Sequence, residues 1–138
     1  MDSNIFALIC IAIIGATLLT FIFVLPKRKL VEEKGITPLY EERCSANWKF
    51  GGGALIAGGN IPIARISFYE NFFVVSMLCP TKINYSEIIS ADFKSNWFSK
   101  SVTLYFDKGN SLVIRPQNVK KIQSIVAAKN PKVFEGSS

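Results

Sequence analysis

The segment Ile5–Leu25 is a continuous apolar run without a charged residue, and Lys27, Arg28 and Lys29 follow it directly. As an α-helix, at about 1.5 Å per residue, this run is roughly 30 Å long, which matches the hydrocarbon core of a bilayer. The alternative is a buried core helix, but a helix of a soluble protein normally carries one polar face, and this run has none. The sequence therefore predicts a membrane-spanning helix over residues 5–25.

The residues around this run do not fit a cleaved signal peptide. Met1–Asn4 contains no Lys or Arg, and Leu25-Pro26-Lys27 lacks the small residues of a cleavage site. We therefore expect the helix to remain as an anchor. Because basic residues favour the cytoplasmic side, the positive charge after the run predicts a single-pass protein of the cell membrane, with its N-terminus outside and its C-terminal domain cytoplasmic.

The composition of the chain argues against catalysis and metal binding. The 138 residues include no histidine, which is the commonest general base and the commonest metal ligand. The three cysteines, Cys10, Cys44 and Cys79, do not share a metal-ligand spacing and are expected to be free thiols. We expect a non-enzymatic protein with no cofactor and no metal.

The net charge of +6 indicates the kind of partner that the chain attracts. A basic domain tethered beside an anionic leaflet is drawn to that surface, so anionic lipids are candidate partners. Nucleic acid is the other usual partner of a basic domain. Because no nucleic-acid-binding motif is present, we do not expect the domain to bind nucleic acid.

Changes in pattern divide the chain into four parts. The helix at 5–25 is followed by a juxtamembrane linker at 26–45, which we expect to behave as a flexible coil that keeps the domain near the bilayer. A soluble domain occupies 46–130, and residues 131–138 form a flexible tail.

Alternation of apolar and polar residues predicts about seven short antiparallel strands in this domain. Asp107-Lys108-Gly109-Asn110 is a strong hairpin-turn signal between two of them. The predicted strands lie around residues 48–50, 64–69, 73–77, 82–86, 89–94, 102–106 and 112–114.

The periodicity changes to that of a helix after Arg115-Pro116. Val119, Ile122 and Val126 then share one face of a helix over residues 118–129. The predicted fold is therefore an N-terminal transmembrane α-helix followed by a mainly-β domain, a barrel or split sandwich capped by a C-terminal α-helix.

This order resembles the pleckstrin-homology (PH) superfold, in particular the bacterial PH-like and GRAM-like domains. The resemblance is carried by Ile66–Val75, Ile83–Ile88 and Leu112–Asn118. It implies a binding module, because members of this superfold bind lipids, peptides or proteins.

Phosphoinositide-binding members of the superfold share a basic signature, in which a Lys is followed after a loop by a basic residue and then by an Arg two positions later. Lys49 and Arg65 match the first two places, but Ser67 stands where the Arg is expected. The glycine-rich stretch between them, Gly51–Asn60, carries no charge and is expected to be a hairpin loop. The candidate lipid-binding residues are Lys49, Arg65, Lys82, Lys94 and Lys100.

Trp97-Phe98 lies in a predicted turn between Lys94 and Lys100. Aromatic residues beside lysines suit a protein contact or a bilayer interface if they are exposed; alternatively, one ring folds into the core. We take Trp97 and Phe98 as the candidate partner-binding residues.

Together these features predict a membrane-tethered binding or scaffolding module that contacts a protein partner. One alternative is a domain that binds anionic lipids, and another is an accessory subunit of a membrane enzyme or transporter.

Overall fold

The computed structural model describes residues 2–24, 27–51, 54–57, 64–77 and 79–135, with the backbone alone at 54–57 and 135. Helix α1 is Ser3–Phe23, and it is long and apolar enough to cross a membrane, with a mean hydropathy of 2.8 over its most apolar window. Its two threonines bond within the helix: Thr17 Oγ1 donates to the Ile13 carbonyl at 2.8 Å and Thr20 Oγ1 to the Ala16 carbonyl at 2.9 Å. The hydroxyls are thus satisfied without water.

The domain after α1 is built mainly from antiparallel strands. They are β1 (Tyr40–Phe50), β2 (Ala54–Ala57), β3 (Ala64–Phe68), β4 (Phe72–Ser76), β5 (Pro80–Asn84), β6 (Ser90–Ser95), β7 (Lys100–Tyr105) and β8 (Ser111–Arg115). Helices α2 (Val119–Lys129) and α3 (Lys132–Glu135) follow. This arrangement confirms the predicted fold class.

Seven of the strands form one path in the order β5-β4-β3-β1-β8-β7-β6, and β2 pairs with β1 beside it. Strand β1 belongs to both halves of the sheet: Tyr40–Cys44 pair with β3, whereas Ser45–Lys49 pair with β8. Within the described residues β5 and β6 do not pair with each other, so the sheet is not closed into a barrel.

The core lies between the two halves of the sheet and helix α2. Asn118 caps α2 by accepting a hydrogen bond from the Lys121 amide at 3.1 Å. The apolar face of the helix, predicted from Val119, Ile122 and Val126, is buried and also includes Ile125. The inward-facing strand residues that complete the core are Cys44, Ala46, Ala64, Ile66, Phe68, Phe73, Val75, Ile83, Val102, Leu104, Leu112 and Ile114.

The first strand begins at Tyr40, well before the strand expected at residues 48–50. Residues 28–39, here called the strap, lie before it, and the strap residue Glu33 is buried. Strands β3 and β4 are buried at every position, although alternation had predicted one exposed face. Leu30 of the strap packs with Tyr69, Phe72 and Val74 in a second, smaller apolar cluster. The segment expected to be a flexible coil therefore contains part of β1 and a docked strap.

The glycine-rich stretch is described at Gly51 and at 54–57, where β2 forms. The rest of that predicted loop lies outside the described residues, as do Leu25 at the end of the predicted span and residues 136–138 of the predicted tail.

Candidate functional site

The strap is held on the sheet by a buried carboxylate. Val31–Glu33 form one turn of 3-10 helix, and the Glu33 side chain is completely buried. Its Oε1 accepts hydrogen bonds from Arg65 Nη1 and from the Tyr69 hydroxyl, both at 2.8 Å, and its Oε2 accepts one from the Leu30 amide at 2.6 Å. Three donors therefore compensate the loss of water around this charge.

Arg65 on β3 is the centre of this cluster, and its side chain is only 5% exposed. Besides Glu33, its guanidinium bonds to Glu41 Oε2 at 3.3 Å and donates from Nη2 to the Arg28 carbonyl at 2.8 Å. Ser67 connects to the same group, since its hydroxyl donates to Glu41 Oε2 at 2.6 Å. One guanidinium thus joins β1, β3 and the strap.

The pKa values of this cluster follow from burial and its hydrogen bonds. Burial by itself raises the pKa of Glu33, but hydrogen bonds from Arg65, Leu30 and Tyr69 outweigh burial and lower the pKa below its ordinary value. Burial and the neighbouring Glu33 carboxylate raise the pKa of Tyr69 to about 12. At neutral pH, Glu33 is therefore an ionised carboxylate, Arg65 a guanidinium cation and Tyr69 a neutral phenol.

The domain also contacts the end of helix α1 directly. Arg43 Nη2 on β1 donates to the Ile22 carbonyl, and its guanidinium carbon lies 5.9 Å from the centre of the Phe23 ring. Ile22 is in the last turn of α1, where carbonyl groups lack partners within the helix. Arg43 and Arg65 thus connect the sheet to the chain at two places, Ile22–Phe23 and Arg28.

The turn between β6 and β7, residues 96–99, presents the two candidate aromatic residues. Trp97 and Phe98 are each 93% exposed, so neither ring folds into the core. Asn96 fixes the turn: its Oδ1 accepts hydrogen bonds from the Phe98 amide at 3.1 Å and the Ser99 amide at 2.6 Å. We call residues 96–99 the aromatic turn.

A short series of contacts connects the aromatic turn to helix α1. Lys100 Nζ donates to the Gln117 carbonyl at 3.3 Å, and the Gln117 amide donates to Glu42 Oε2 at 3.3 Å. Glu42 precedes Arg43, which contacts the end of α1. The aromatic turn therefore extends from the end of the sheet at which α1 is attached.

The five candidate lipid-binding residues do not form one patch. Lys49 is at the far end of β1, and Lys82 on β5 lies with its Nζ 4.9 Å from the centre of the Phe72 ring. Lys94 and Lys100 lie on the two strands that lead into and out of the aromatic turn, but on opposite faces of this hairpin, because Lys94 pairs with Ser101 and Lys100 pairs with Ser95. Arg65 is buried in the ion-paired cluster, so its charge is not available at the surface. The three topology residues, Lys27, Arg28 and Lys29, are exposed just after α1.

A cavity of about 570 Å³ opens at the other end of β1. Trp48, Phe50, Ile83, Ile89 and Phe106 supply its apolar wall. Its polar lining comes from Thr81, Lys82, Ser86, Glu87, Asp107, Lys108 and Asn110. At about 3.3 Å per residue, β1 carries the chain roughly 23 Å from Arg43 to Phe50. We call this opening the far-end cavity.

In the part of the chain that the structure describes, no group of three or more His, Cys, Asp or Glu residues is placed to hold a metal ion. Sequence reasoning missed Glu33 and Glu41 as members of the cluster. No local pattern connects Glu33 to Arg65, because 32 residues separate the two.

No protein-family model and no curated protein sequence matches the chain. Among solved structures, the chain is similar to the crystal structure of the C-terminal domain of an unknown protein from Leishmania infantum. The TM-score is 0.50 at 12% identity, and the match covers 84% of this chain and 96% of that one. At this identity the likeness concerns the fold alone.

Proposed function

We propose that this protein is a membrane-tethered, non-enzymatic scaffolding module whose cytoplasmic β domain binds a protein partner at the membrane surface. The observation that carries the proposal is the buried cluster around Arg65, which joins the strap, β1 and β3 next to the anchor. A domain fixed in this way presents its far end in one orientation. Tethering of this kind raises the effective concentration for weak contacts.

The strand order supports a PH-like identity for the domain. One long strand is shared between two halves of an antiparallel sheet, and the C-terminal helix α2 packs against the core. Domains of this superfold serve as binding modules, which agrees with a non-enzymatic role. The exposed Lys27, Arg28 and Lys29 support the proposed cytoplasmic location of the domain, because basic residues beside a span favour that side.

The far-end cavity is the candidate partner site. Phe50 is 39% exposed and Ile89 is 61% exposed at its rim, so apolar side chains surround a concave surface. Apolar and aromatic anchors in a recess are typical of the residues that contribute most to a protein interface. Recognition of one specific lipid headgroup has less support, because the predicted basic residues are dispersed over the domain.

The test is an affinity purification of the full-length protein from its membranes in mild detergent. Two cavity variants, Phe50→Ala and Ile89→Ser, are compared with Val31→Ser, which removes an apolar side chain that is 76% exposed on the strap. We expect a stoichiometric partner with the unchanged protein and with Val31→Ser, and its loss with both cavity variants. Absence of any partner would contradict the scaffolding function. A partner retained by the cavity variants would place the interface elsewhere.

Co-purification of a membrane enzyme or transporter would identify the module as an accessory subunit of that complex. The same experiment therefore distinguishes this alternative from a scaffold for soluble proteins.

A further inference from the structure

We propose that the aromatic turn inserts into the interface of the same bilayer that α1 crosses, so that the domain has a second membrane contact. This proposal does not depend on the far-end cavity or on a protein partner. It rests on the direction of β6, on the exposure of Trp97 and Phe98, and on the contacts that fix the domain to α1.

The direction of β6 follows from the antiparallel pairing of the strands. Strand β8 is antiparallel to β1, β7 is antiparallel to β8, and β6 is antiparallel to β7, so β6 runs opposite to β1. Because β1 leads away from Arg43, β6 leads back toward the end of the sheet where the anchor is attached. It begins at Ser90, which pairs with Tyr105, and it ends at Ser95, which pairs with Lys100.

Within the sheet, the turn lies close to the place where α1 is attached. Lys100 contacts Gln117, which contacts Glu42, so the start of β7 is two strand spacings, or roughly 10 Å, from β1. The aromatic turn extends beyond that row of residues. Glu42 is adjacent to Arg43, and Arg43 bonds to the last turn of α1.

The chemistry of the turn suits the lipid interface. Tryptophan is enriched where the headgroups meet the acyl chains, and phenylalanine contributes apolar surface there. Lys94 and Lys100 lie on either side of the turn, and both are exposed; Lys94 Nζ is 3.9 Å from Asp92 Oδ2, and Lys100 Nζ donates to the Gln117 carbonyl. Long lysine side chains of this kind keep their ammonium groups at the headgroup level while their alkyl chains lie deeper. Since Asn96 already fixes the turn, the rings are presented without ordering a loop.

The docked strap makes this contact specific. A domain on a flexible linker would present all of its surfaces to the bilayer in turn. The bonds from Arg65 to Glu33 and to the Arg28 carbonyl instead fix the orientation of the sheet relative to the chain that leaves the membrane.

The experiment uses tryptophan fluorescence of the full-length protein in nanodiscs of phosphatidylcholine and phosphatidylglycerol at a ratio of about three to one. The chain has two tryptophans, so Trp48→Phe leaves Trp97 as the single probe, and Trp97→Phe leaves the half-buried Trp48 as the matched control. Lipids brominated near the headgroup end of the acyl chain are expected to quench the Trp97 emission more strongly than deeply brominated lipids, because tryptophan is enriched at the interface. The Trp48 emission should be unaffected.

The proposal would be overturned if Trp97 emitted as a water-exposed indole does and brominated lipid did not quench that emission. The proposal would also be overturned if the Trp97 indole became shielded from water only after membrane extract was added. The aromatic turn would then bind a protein and not the lipid. If Trp48→Phe does not fold, Ser99→Cys in a Cys79→Ser background replaces it, because Ser99 is exposed in the same turn and both rings are kept. Its reaction with a polar maleimide should be slower in nanodiscs than in detergent, and equal rates would contradict bilayer insertion.

Discussion

Arg65 Nη1 lies 2.8 Å from Glu33 Oε1, and their side chains are 5% and 0% exposed. The pair joins the strap to the middle of the sheet across 32 residues of sequence. A buried pair of this kind is strongly destabilising when one partner is removed, because the remaining charge has lost both water and its counter-ion.

Replacement of Arg65 or Glu33 should therefore make the domain less stable to unfolding. We expect Arg65→Met or Glu33→Gln to lower the free energy of unfolding by about 3–5 kcal/mol, whereas Glu32→Gln, at an exposed neighbouring position, should have almost no effect. Denaturant unfolding of the full-length protein in detergent, followed by tryptophan fluorescence, measures the difference. Equal stability of Glu33→Gln and Glu32→Gln would show that the cluster does not hold the strap.

Acid should release the strap. The pKa of Glu33 is lowered in the folded protein, so the unfolded chain binds the proton more readily. The stability that this group contributes is fully present above its ordinary pKa of 4.5 and is lost as the pH falls through the lower value of the folded state. Unfolding midpoints measured between pH 7 and pH 3 should fall less steeply for Glu33→Gln than for Glu32→Gln. Parallel curves would refute this assignment.

Gly51 should not tolerate a side chain. A Cβ at this position would lie 2.8 Å from the Lys108 carbonyl oxygen, which belongs to the backbone and cannot move without moving the β7–β8 turn. We expect Gly51→Ala to cost about 1–3 kcal/mol. Gly15→Ala, in the interior of helix α1, where a Cβ would meet nothing within 4 Å, is the control and should not destabilise the protein. A Gly51→Ala protein as stable as the control would show that the turn can shift freely.

The same turn offers a stabilising substitution. Lys108 has a φ of 61°, and Gly109 follows with a φ of 72°, a pair of positive values that favours Asn-Gly. Lys108→Asn should raise the free energy of unfolding by about 0.5–1 kcal/mol, because asparagine adopts the left-handed conformation more readily than lysine. Lys120→Asn, at an exposed position in α2, should instead destabilise slightly. An effect of the same sign at both positions would argue against the conformational explanation.

Thiol reactivity should distinguish two of the cysteines. Cys44 is buried in the core, and burial together with the nearby Glu42 raises the pKa of its thiol to about 12, whereas Cys79 is exposed. A polar maleimide at pH 7.5 should therefore label Cys79 rapidly and Cys44 only after unfolding. Mass spectrometry of labelled peptides checks this, with Cys79→Ser as the control. Rapid labelling of Cys44 in the folded protein would mean that β1 opens readily.

Local patterns predicted the features of this fold that depend on neighbouring residues. The apolar face of α2 follows from the spacing of Val119, Ile122 and Val126, and the hairpin turn at Asp107–Asn110 follows from its residue types. The alternation of Ala64, Ile66 and Phe68 correctly gave the core face of β3. These features need only the period of a helix or a strand.

The covered outer face of the sheet could not be predicted in this way. Arg65 and Ser67 alternate with apolar residues as solvent-facing residues normally do, and only a distant segment decides that they are buried. The exposure of Trp97 and Phe98 could not be predicted from the sequence either, because a ring in a turn can point into solvent or pack into the core. The hydrogen bonds of Asn96 and the position of the turn beyond the sheet decide it.

The bond between Arg43 and the Ile22 carbonyl has a mechanical consequence for the whole chain. Arg43 of the sheet donates to one carbonyl in the last turn of the helix, and Arg65 holds the chain again at the Arg28 carbonyl. Because these two contacts fix the sheet to the helix, the two move as one rigid body, and rotation of α1 about its own axis moves the domain around that axis. In the proposed membrane-spanning arrangement, a change in the tilt of α1, such as a thicker or thinner bilayer imposes, would raise or lower the far end of β1 relative to the membrane.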